Sequence, residues 1–473
     1  MRYAIIGAGL AGLTAAVEIH RREPGAHIDV YEAADRIGAK LFTAPFESGP
    51  TDVGAEAFLA RNSEAREFFD SLGLADSIVY PSGLASALYS GGELQLLPRE
   101  TIMGIPGTSG PVAHLVSGET AVRIDAEEAA EPLNWVVGED RSVGELVRQR
   151  YGDEIADRTV SALLGGVYSC GADDLGVRAT IPALAEALDQ LVMSNKHTTL
   201  SAAIKVMLSA RPAPVGEPQP VFGAFRGGYA ELYEALAEES GADIYLDAFV
   251  SGVAHTPEGF QVTGGEEGTY DKVLLATPAP TTALLLKSLA PDASQTLKSV
   301  KLANSVVVAM KFDSDQGLPE HSGVLIAADE PDLHAKAFTF SSRKWPHLAE
   351  RGGALVRASF GRFGDQIALT TDEDTLVDWA LDDLQTVTGF DGREAGLSEI
   401  LTQRWFGGLP RYDADHVATV DKFRSQLATV PGVEAAGAWA EGVGVPAVIA
   451  DARAAAARLL GDTPASGPYN EKS

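Results

Sequence analysis

The sequence predicts an α/β fold in which a nucleotide-binding domain is built from discontinuous segments, with a mixed-sheet domain and a helical subdomain threaded between them. Three observations carry this. A strand, a glycine-rich turn, a helix and a second strand open the chain. A strand, a glycine-rich turn and a helix close it. Between them, helix-rich and strand-rich stretches alternate without internal repeat. At 473 residues the chain exceeds one ordinary core, so about two or three domains are expected.

Residues 2–6 form a short apolar run, stopped at once by Gly7-Ala8-Gly9-Leu10-Ala11-Gly12. Residues 13–21 follow with helical spacing of Leu13, Ala16, Val17 and Ile19, and Pro24-Gly25 breaks the helix. Residues 28–32 read as the second strand. Residues 142–207 are rich in helix formers, and 211–220 is a proline-dense connection. Strands are expected at 243–250, 259–264, 270–276, 304–312 and 354–360, and a helix with an acidic first turn at 373–387. Residues 433–437 read as a strand leading through a glycine-rich turn to Pro446 and an alanine-rich helix ending near Leu460. The last dozen residues read as a disordered tail.

Composition narrows the function. There are 66 acidic against 37 basic residues, a net charge of −29, which disfavours nucleic acid and anionic membrane surfaces. No run of apolar residues approaches membrane-spanning length, and the N-terminus lacks signal-peptide features, so a cytoplasmic location is expected. The single cysteine, Cys170, excludes intramolecular disulfides and thiolate metal clusters. Nine histidines lie scattered without ligand spacing, so no metal is expected.

The chemistry-bearing signal is the glycine turn. Gly7 permits the tight turn, Gly9 lets backbone approach a pyrophosphate, and Gly12 lets helix and strand pack closely. The backbone of Ala8, Leu10 and Ala11 completes the cradle, and the helix N-terminus offers free N–H groups to phosphate. Glu32, twenty residues past Gly12, stands where a carboxylate accepts hydrogen bonds from ribose. A chance glycine turn is the bland alternative, but strand, helix, second strand and acid agree on a Rossmann-type unit. At the other end, Gly437, Val443, Gly444 and Val445 precede a helix N-terminus, forming a second place where backbone N–H groups face a cofactor.

The run Glu32-Ala33-Ala34-Asp35-Arg36-Ile37-Gly38-Ala39-Lys40 resembles the E-x-x-x-R-x-G-G-K extension of the FAD-dependent amine oxidase and protoporphyrinogen oxidase superfamily, with Ala39 replacing a glycine. The resemblance implies FAD, with Arg36 and Lys40 near its phosphates and Ala33 beside Glu32. Asp52-Val53-Gly54-Ala55-Glu56 resembles the segment whose backbone passes the flavin, which brings in Gly54, Ala55, Glu56 and Ala57. Residues 225–232 resemble a helix start of these flavoproteins. Val250 and Ala276 occupy strand ends that resemble those returning to the nucleotide. No cysteine lies in the C-terminal flavin loop, so the FAD is expected to be noncovalent.

Across almost its whole length the chain resembles the coproporphyrinogen III oxidase (coproporphyrin-forming) and protoporphyrinogen oxidase family. The residues that carry this include 52–61, Leu97-Pro98, 103–106, 165–169, 173–180, 344–347, 404–412 and 442–446. The resemblance implies oxidation of a porphyrinogen by flavin, with molecular oxygen as acceptor and hydrogen peroxide released. No second nucleotide unit is visible for a nicotinamide cofactor. A flat macrocycle edged with carboxylates needs apolar walls with a cationic rim. Arg61, Lys344, Arg404 and Arg411 are the candidate cations, with Tyr412 and Trp345 as ring contacts and Trp405 as a flavin contact. For each of these, surface charge or core packing is an equally ready account.

The implied domains are an FAD-binding domain of 1–60, 215–280 and 430–463, a substrate-binding domain of 61–110, 183–214 and 281–429, a helical subdomain of 111–182 and a tail of 464–473. Coproporphyrinogen III is the favoured substrate, with protoporphyrinogen IX as the alternative. A flavin amine oxidase, a carotenoid desaturase and a non-catalytic binding protein of the same fold are further alternatives. A transient ferrochelatase partner is compatible with a porphyrin product.

Overall fold

A computed structural model describes residues 1–211 and 220–462. Most of the proline-dense connection and the expected tail lie outside the described residues. The chain divides into two compact units, one of residues 1–80, 219–301 and 418–473, the other of 81–218 and 302–417.

The first unit is built on a five-stranded parallel sheet. In chain order its strands are β1 (Arg2–Ile6), β2 (His27–Tyr31), β3 (Asp243–Tyr245), β4 (Lys272–Leu275) and β5 (Val433–Ala435), and in space they lie β3-β2-β1-β4-β5. Side chains alternate across the sheet with period two. Tyr3, Ile5, Ile28, Val30 and Leu274 face one core, and Ala4, Ile6, Tyr31, Val273, Leu275, Val433 and Ala435 face another. Both faces are therefore covered, as a parallel sheet requires. The helices α1 (Leu10–Arg22), α2 (Ser63–Ser71), α3 (Ala230–Glu239) and α4 (Val445–Leu460) share the first of these cores.

The second unit carries a seven-stranded sheet in which Leu302–Phe312 pairs with both Ala354–Phe360 and Leu397–Pro410. The sheet is mixed, because Gly323–Ile326 runs parallel to Ala87–Ser90 while its other pairings are antiparallel. The helix Glu373–Thr388 packs Leu376, Ala380, Leu381 and Leu384 on this sheet. Its start is capped by Asp372, whose Oδ1 accepts the Thr375 N–H at 2.9 Å. The helical stretch expected as a separate subdomain lies within this unit.

Three segments expected with the substrate-binding domain pack instead with the nucleotide unit. Residues 61–80 do so because Phe68 and Phe69 enter its core, and 281–301 because Ala283, Leu285, Leu286 and Leu297 do. Residues 418–429 follow through Val420, Phe423 and Leu427. The strand expected at 243–250 ends at Tyr245; beyond it Asp247 adopts a left-handed φ of 52°. The Asp247 and Ala248 amides then donate to Ala34 and Glu32 carbonyls, so this stretch follows the loop after β2 rather than extending the sheet.

Candidate cofactor and substrate sites

The turn between β1 and α1 is closed by contacts that only glycine tolerates. Gly7 has φ 108°, and a Cβ there would stand 2.6 Å from the Ala276 carbonyl oxygen. A Cβ on Gly12 would lie 1.9 Å from the Gly7 carbonyl oxygen, inside any van der Waals limit. Gly9 caps α1 without a side chain, leaving the first-turn N–H groups without an intrahelical acceptor. No acidic residue occupies that turn.

Glu32 closes the loop from the side. Its Oε2 accepts the Ala8 N–H at 2.9 Å and its Oε1 accepts the Ala34 N–H at 3.0 Å. The carboxylate is thus fixed at the C-terminal edge of the sheet, beside exposed Ala33. Gly38 joins the same loop, its N–H bonding the Ala8 carbonyl at 2.9 Å. It has φ 90°, and a Cβ there would meet the Tyr233 ring at 2.6 Å. Ala39, standing where the family usually has glycine, adopts φ 49° and so holds a left-handed conformation despite its side chain.

The two cations of this extension differ. Arg36 donates to the Ile37 and Ala39 carbonyls at 3.2 and 2.7 Å and lies 4.2 Å over the Phe42 ring. Among the described residues half-buried Lys40 makes no ion pair or side-chain hydrogen bond, and desolvation alone pushes its ammonium down to about 8. A desolvated cation without a countercharge is unfavourable unless an anion arrives. Bare helix N–H groups, a cradle that a Cβ would fill and this unmatched cation together fit a nucleotide diphosphate.

Two further sequence segments meet in space. The Asp52 Oδ1 accepts the Thr43 hydroxyl at 2.6 Å and the Tyr229 N–H at 3.0 Å, while Thr43 Oγ1 accepts the Ala230 N–H at 2.9 Å. Asp52 and Thr43 therefore cap α3. Gly228 is required there, since its φ is 80° and a Cβ would stand 2.8 Å from the Asp52 Oδ1. Gly54, Ala55, Glu56 and Ala57 follow Asp52 as a half-buried loop. Val250 is buried beyond the turn at Asp247, and the Ala276 N–H bonds Ile6 at 2.8 Å beside the glycine turn.

The C-terminal loop is held from below. Gly437 donates its N–H to the Oδ2 of buried Asp451 at 2.9 Å, and Asp451 is ion-paired with Arg424. The Trp439 indole N–H donates to the Thr277 carbonyl at 3.1 Å. Val443 and Gly444 are accessible, Val445 is buried, and α4 begins at Val445 with Gly444 as a cap that contributes no side chain. Its N-terminus, like that of α1, follows the C-terminal end of a parallel strand.

The expected substrate-side residues divide between the two units. Arg61 belongs to the first unit and is exposed just before α2. Lys344, Arg404, Trp405, Arg411 and Tyr412 all lie in the second unit. Arg404 donates to the Ala368 and Thr371 carbonyls at 2.8 and 2.5 Å, an anchoring arrangement. Arg411 pairs with Asp413 at 2.6 Å and Asp174 at 3.8 Å and covers the Phe363 ring at 4.6 Å, so its charge is already met. Lys344 lies 5.0 Å from the Trp345 ring, and Trp345 is 1% exposed, a core residue rather than a ring contact for substrate. Tyr412 is buried against Tyr168 and His416. Trp405 sits on Leu397–Pro410, paired with Ser305.

Sequence reading missed Lys336. Its Nζ is buried and donates to Ser169 Oγ and the Gly361 carbonyl, each at 2.6 Å. Burial first, then nearby Arg362, lowers its ammonium to about 7. It secures Ser169, which has φ 52° at the end of Ser161–Tyr168. No motif marks Lys336, and only the strand pairing around it reveals its burial. Cys170 is buried, and burial pushes its thiol up to about 12, so it is no nucleophile.

A glycine cradle, an aligned acid, a half-buried cation and a second helix-opening loop fit a dinucleotide, and the family match makes the protein a flavoprotein oxidoreductase. The chain belongs to the flavin-containing amine oxidoreductase family, whose sequence model matches residues 10–460, and within it to the coproporphyrinogen III oxidase and protoporphyrinogen oxidase group. FAD is its cofactor.

The chain is 39% identical over 463 residues to a protein named coproporphyrinogen III oxidase from Mycobacterium tuberculosis (strain CDC 1551 / Oshkosh), covering 97% of each. It is 27% identical to the protein of the same name from Bacillus subtilis (strain 168), covering 96% of this chain and 97% of the relative. In fold it is similar to a crystal structure of a candidate protoporphyrinogen oxidase from Exiguobacterium sp. 255-15. The TM-score is 0.83 at 24% identity, covering 97% of this chain and 98% of the other. Among the described residues no helix is long and apolar enough to cross a membrane.

Proposed function

We propose that this protein oxidises coproporphyrinogen III to coproporphyrin III in haem biosynthesis, removing six electrons with molecular oxygen as acceptor and releasing hydrogen peroxide. The observation that carries this reading is the 39% identity, over 97% of both chains, to a coproporphyrinogen III oxidase. Bound FAD supplies a two-electron acceptor, and three such steps account for the macrocycle's six electrons. The protein's own residues bind and orient. Gly7, Gly9 and Gly12 admit the diphosphate, Lys40 neutralises it, and Glu32 accepts from ribose. Arg36 shapes the loop that presents Lys40. The 443–445 turn presents backbone N–H groups to the flavin, Gly437 anchors that loop through the bond from its N–H to Asp451, and the FAD is held noncovalently. Arg61, Lys344, Arg411 and Tyr412 are the residues proposed to meet the substrate, and of these Arg411 is already paired with carboxylates. The protein works in the cytoplasm, and a ferrochelatase is the partner class that receives its product.

The deciding experiment compares turnover of coproporphyrinogen III and protoporphyrinogen IX, following porphyrin fluorescence and oxygen uptake together. Faster fluorescence gain from coproporphyrinogen III, with one oxygen consumed per two electrons, is the expected result. Preference for protoporphyrinogen IX would transfer the assignment to that substrate. Peroxide from amines without porphyrin formation would overturn both.

A further inference from the structure

At the N-terminal end of the first unit's sheet, three side chains with metal-binding chemistry meet on one face. His27 and Asp29 are two residues apart on β2, so both point to the same side. Asp243 is the register partner of Asp29 on the neighbouring strand β3 and shares that side. One ligand atom from each of the three lies within 4.8 Å of the others.

The buried member has one oxygen that makes no hydrogen bond among the described residues. The Asp29 side chain is wholly inaccessible, with its Oδ2 accepting the Tyr270 hydroxyl at 2.7 Å and an Arg2 N–H at 3.1 Å. Among the described residues its Oδ1 accepts no hydrogen bond, and it faces the His27 Nε2 as an ion pair at 3.1 Å. A buried carboxylate oxygen that accepts no hydrogen bond is costly and gains from a further cationic partner. The separation is informative, because ligands about 2.0–2.1 Å from a tetrahedral ion stand only about 3.3 Å apart. Tyr270 and Arg2 hold the carboxylate from behind, as outer partners do for metal ligands. The His27 and Asp243 side chains are 49% and 64% exposed, which leaves an entry path and freedom to adjust.

We propose that His27, Asp29 and Asp243 form a site for a divalent transition ion of the Zn2+ class. One imidazole nitrogen and two carboxylate oxygens supply three ligands, and water completes four. The mixed donor set favours such an ion over Mg2+. Arg2 beside Asp29 keeps the affinity modest. The ion would clamp β3, a three-residue edge strand, onto β2. This inference does not depend on the proposed substrate, and it revises the sequence expectation of no metal.

The test is calorimetric titration of Zn2+ into the full-length FAD-loaded protein and its His27→Gln and Asp243→Asn variants, with thermal unfolding of each. Both substitutions are at exposed positions, so the fold is retained. The expected result is one saturable site in the wild type, weakened at least about tenfold in each variant. Zn2+ should raise the wild-type unfolding temperature and leave the variants unmoved, and equal Mg2+ should not compete. Absence of saturable binding, or binding unchanged in both variants, would overturn the proposal. So would a His27→Gln loss of stability that is the same with and without Zn2+, because it would make His27 only an ion-pair partner of Asp29.

Discussion

The Ala8 N–H and the Glu32 Oε2 are hydrogen-bonded at 2.9 Å, so the glycine turn and the acid proposed to meet the ribose are tied together. Glu32→Ala would remove that bond together with the one from the Ala34 N–H, along with any bond to ribose. Hydrogen bonds to a charged acceptor contribute about 1.5–3 kcal/mol each. The expected outcome is FAD binding at least about tenfold weaker and a lower unfolding temperature with and without FAD. Flavin fluorescence titration of the deflavinated protein checks it.

Gly12→Ala places a methyl 1.9 Å from the Gly7 carbonyl oxygen, and backbone cannot yield as a flexible side chain does. Overpacking of this kind costs about 1–3 kcal/mol and here displaces α1 from β1. The variant is expected to purify without yellow colour and to unfold at lower temperature. Full flavin content would refute the close-packing account.

Lys40 ties FAD binding to pH. In the protein without FAD its ammonium is lowered to about 8 by burial, against an ordinary value of 10.5. A bound diphosphate restores the charged form, so binding takes up a proton above about pH 8. FAD affinity should therefore fall as pH rises from about 8 toward 10.5, by up to about tenfold per pH unit. Dissociation constants measured across that range would show it, and Lys40→Met should flatten the slope while weakening binding at pH 7.

Ala39 stores local strain. A non-glycine residue in the left-handed region costs about 1–2 kcal/mol, partly offset by the unfolded-state freedom that glycine adds. Ala39→Gly is expected to raise stability by up to about 1 kcal/mol with flavin content unchanged. Denaturant unfolding is the measurement, and a loss of stability would contradict the reading.

Lys336 gives the second unit a pH response of its own. Its folded value near 7 lies below the ordinary 10.5, so between those limits the unfolded chain binds more protons. Its contribution to stability therefore rises with pH through that window and is lowest below about pH 7. Lys336→Met should reduce the rise by one proton's worth, read as the slope of unfolding free energy against pH.

Local features were the ones legible without coordinates. The spacing of Gly7, Gly9, Gly12 and Glu32 lies within one β-α-β unit, where chain connectivity alone brings the parts together. The helix expected at 373–387 appears as Glu373–Thr388, because its cap and acidic first turn are written in adjacent residues. The strand 354–360 likewise appears as Ala354–Phe360. By contrast, the closing helix begins at Val445, earlier than expected, because Pro446 fits a helix's first turn and did not break it.

The sequence by itself determined the nucleotide unit, its acid and its flavin-family character, since each depends on contacts between near neighbours in the chain. Only the tertiary structure decided that Asp52 caps the helix that begins at Ala230, 178 residues later, that Lys40 is a half-buried cation with no ion pair among the described residues, and that the buried Lys336 ammonium bonds Ser169. It also decided that Asp243 stands beside His27 and Asp29. The physical reason is common to all four. Burial and charge matching are set by strand pairing and packing between distant segments, and no local periodicity records which segments those are.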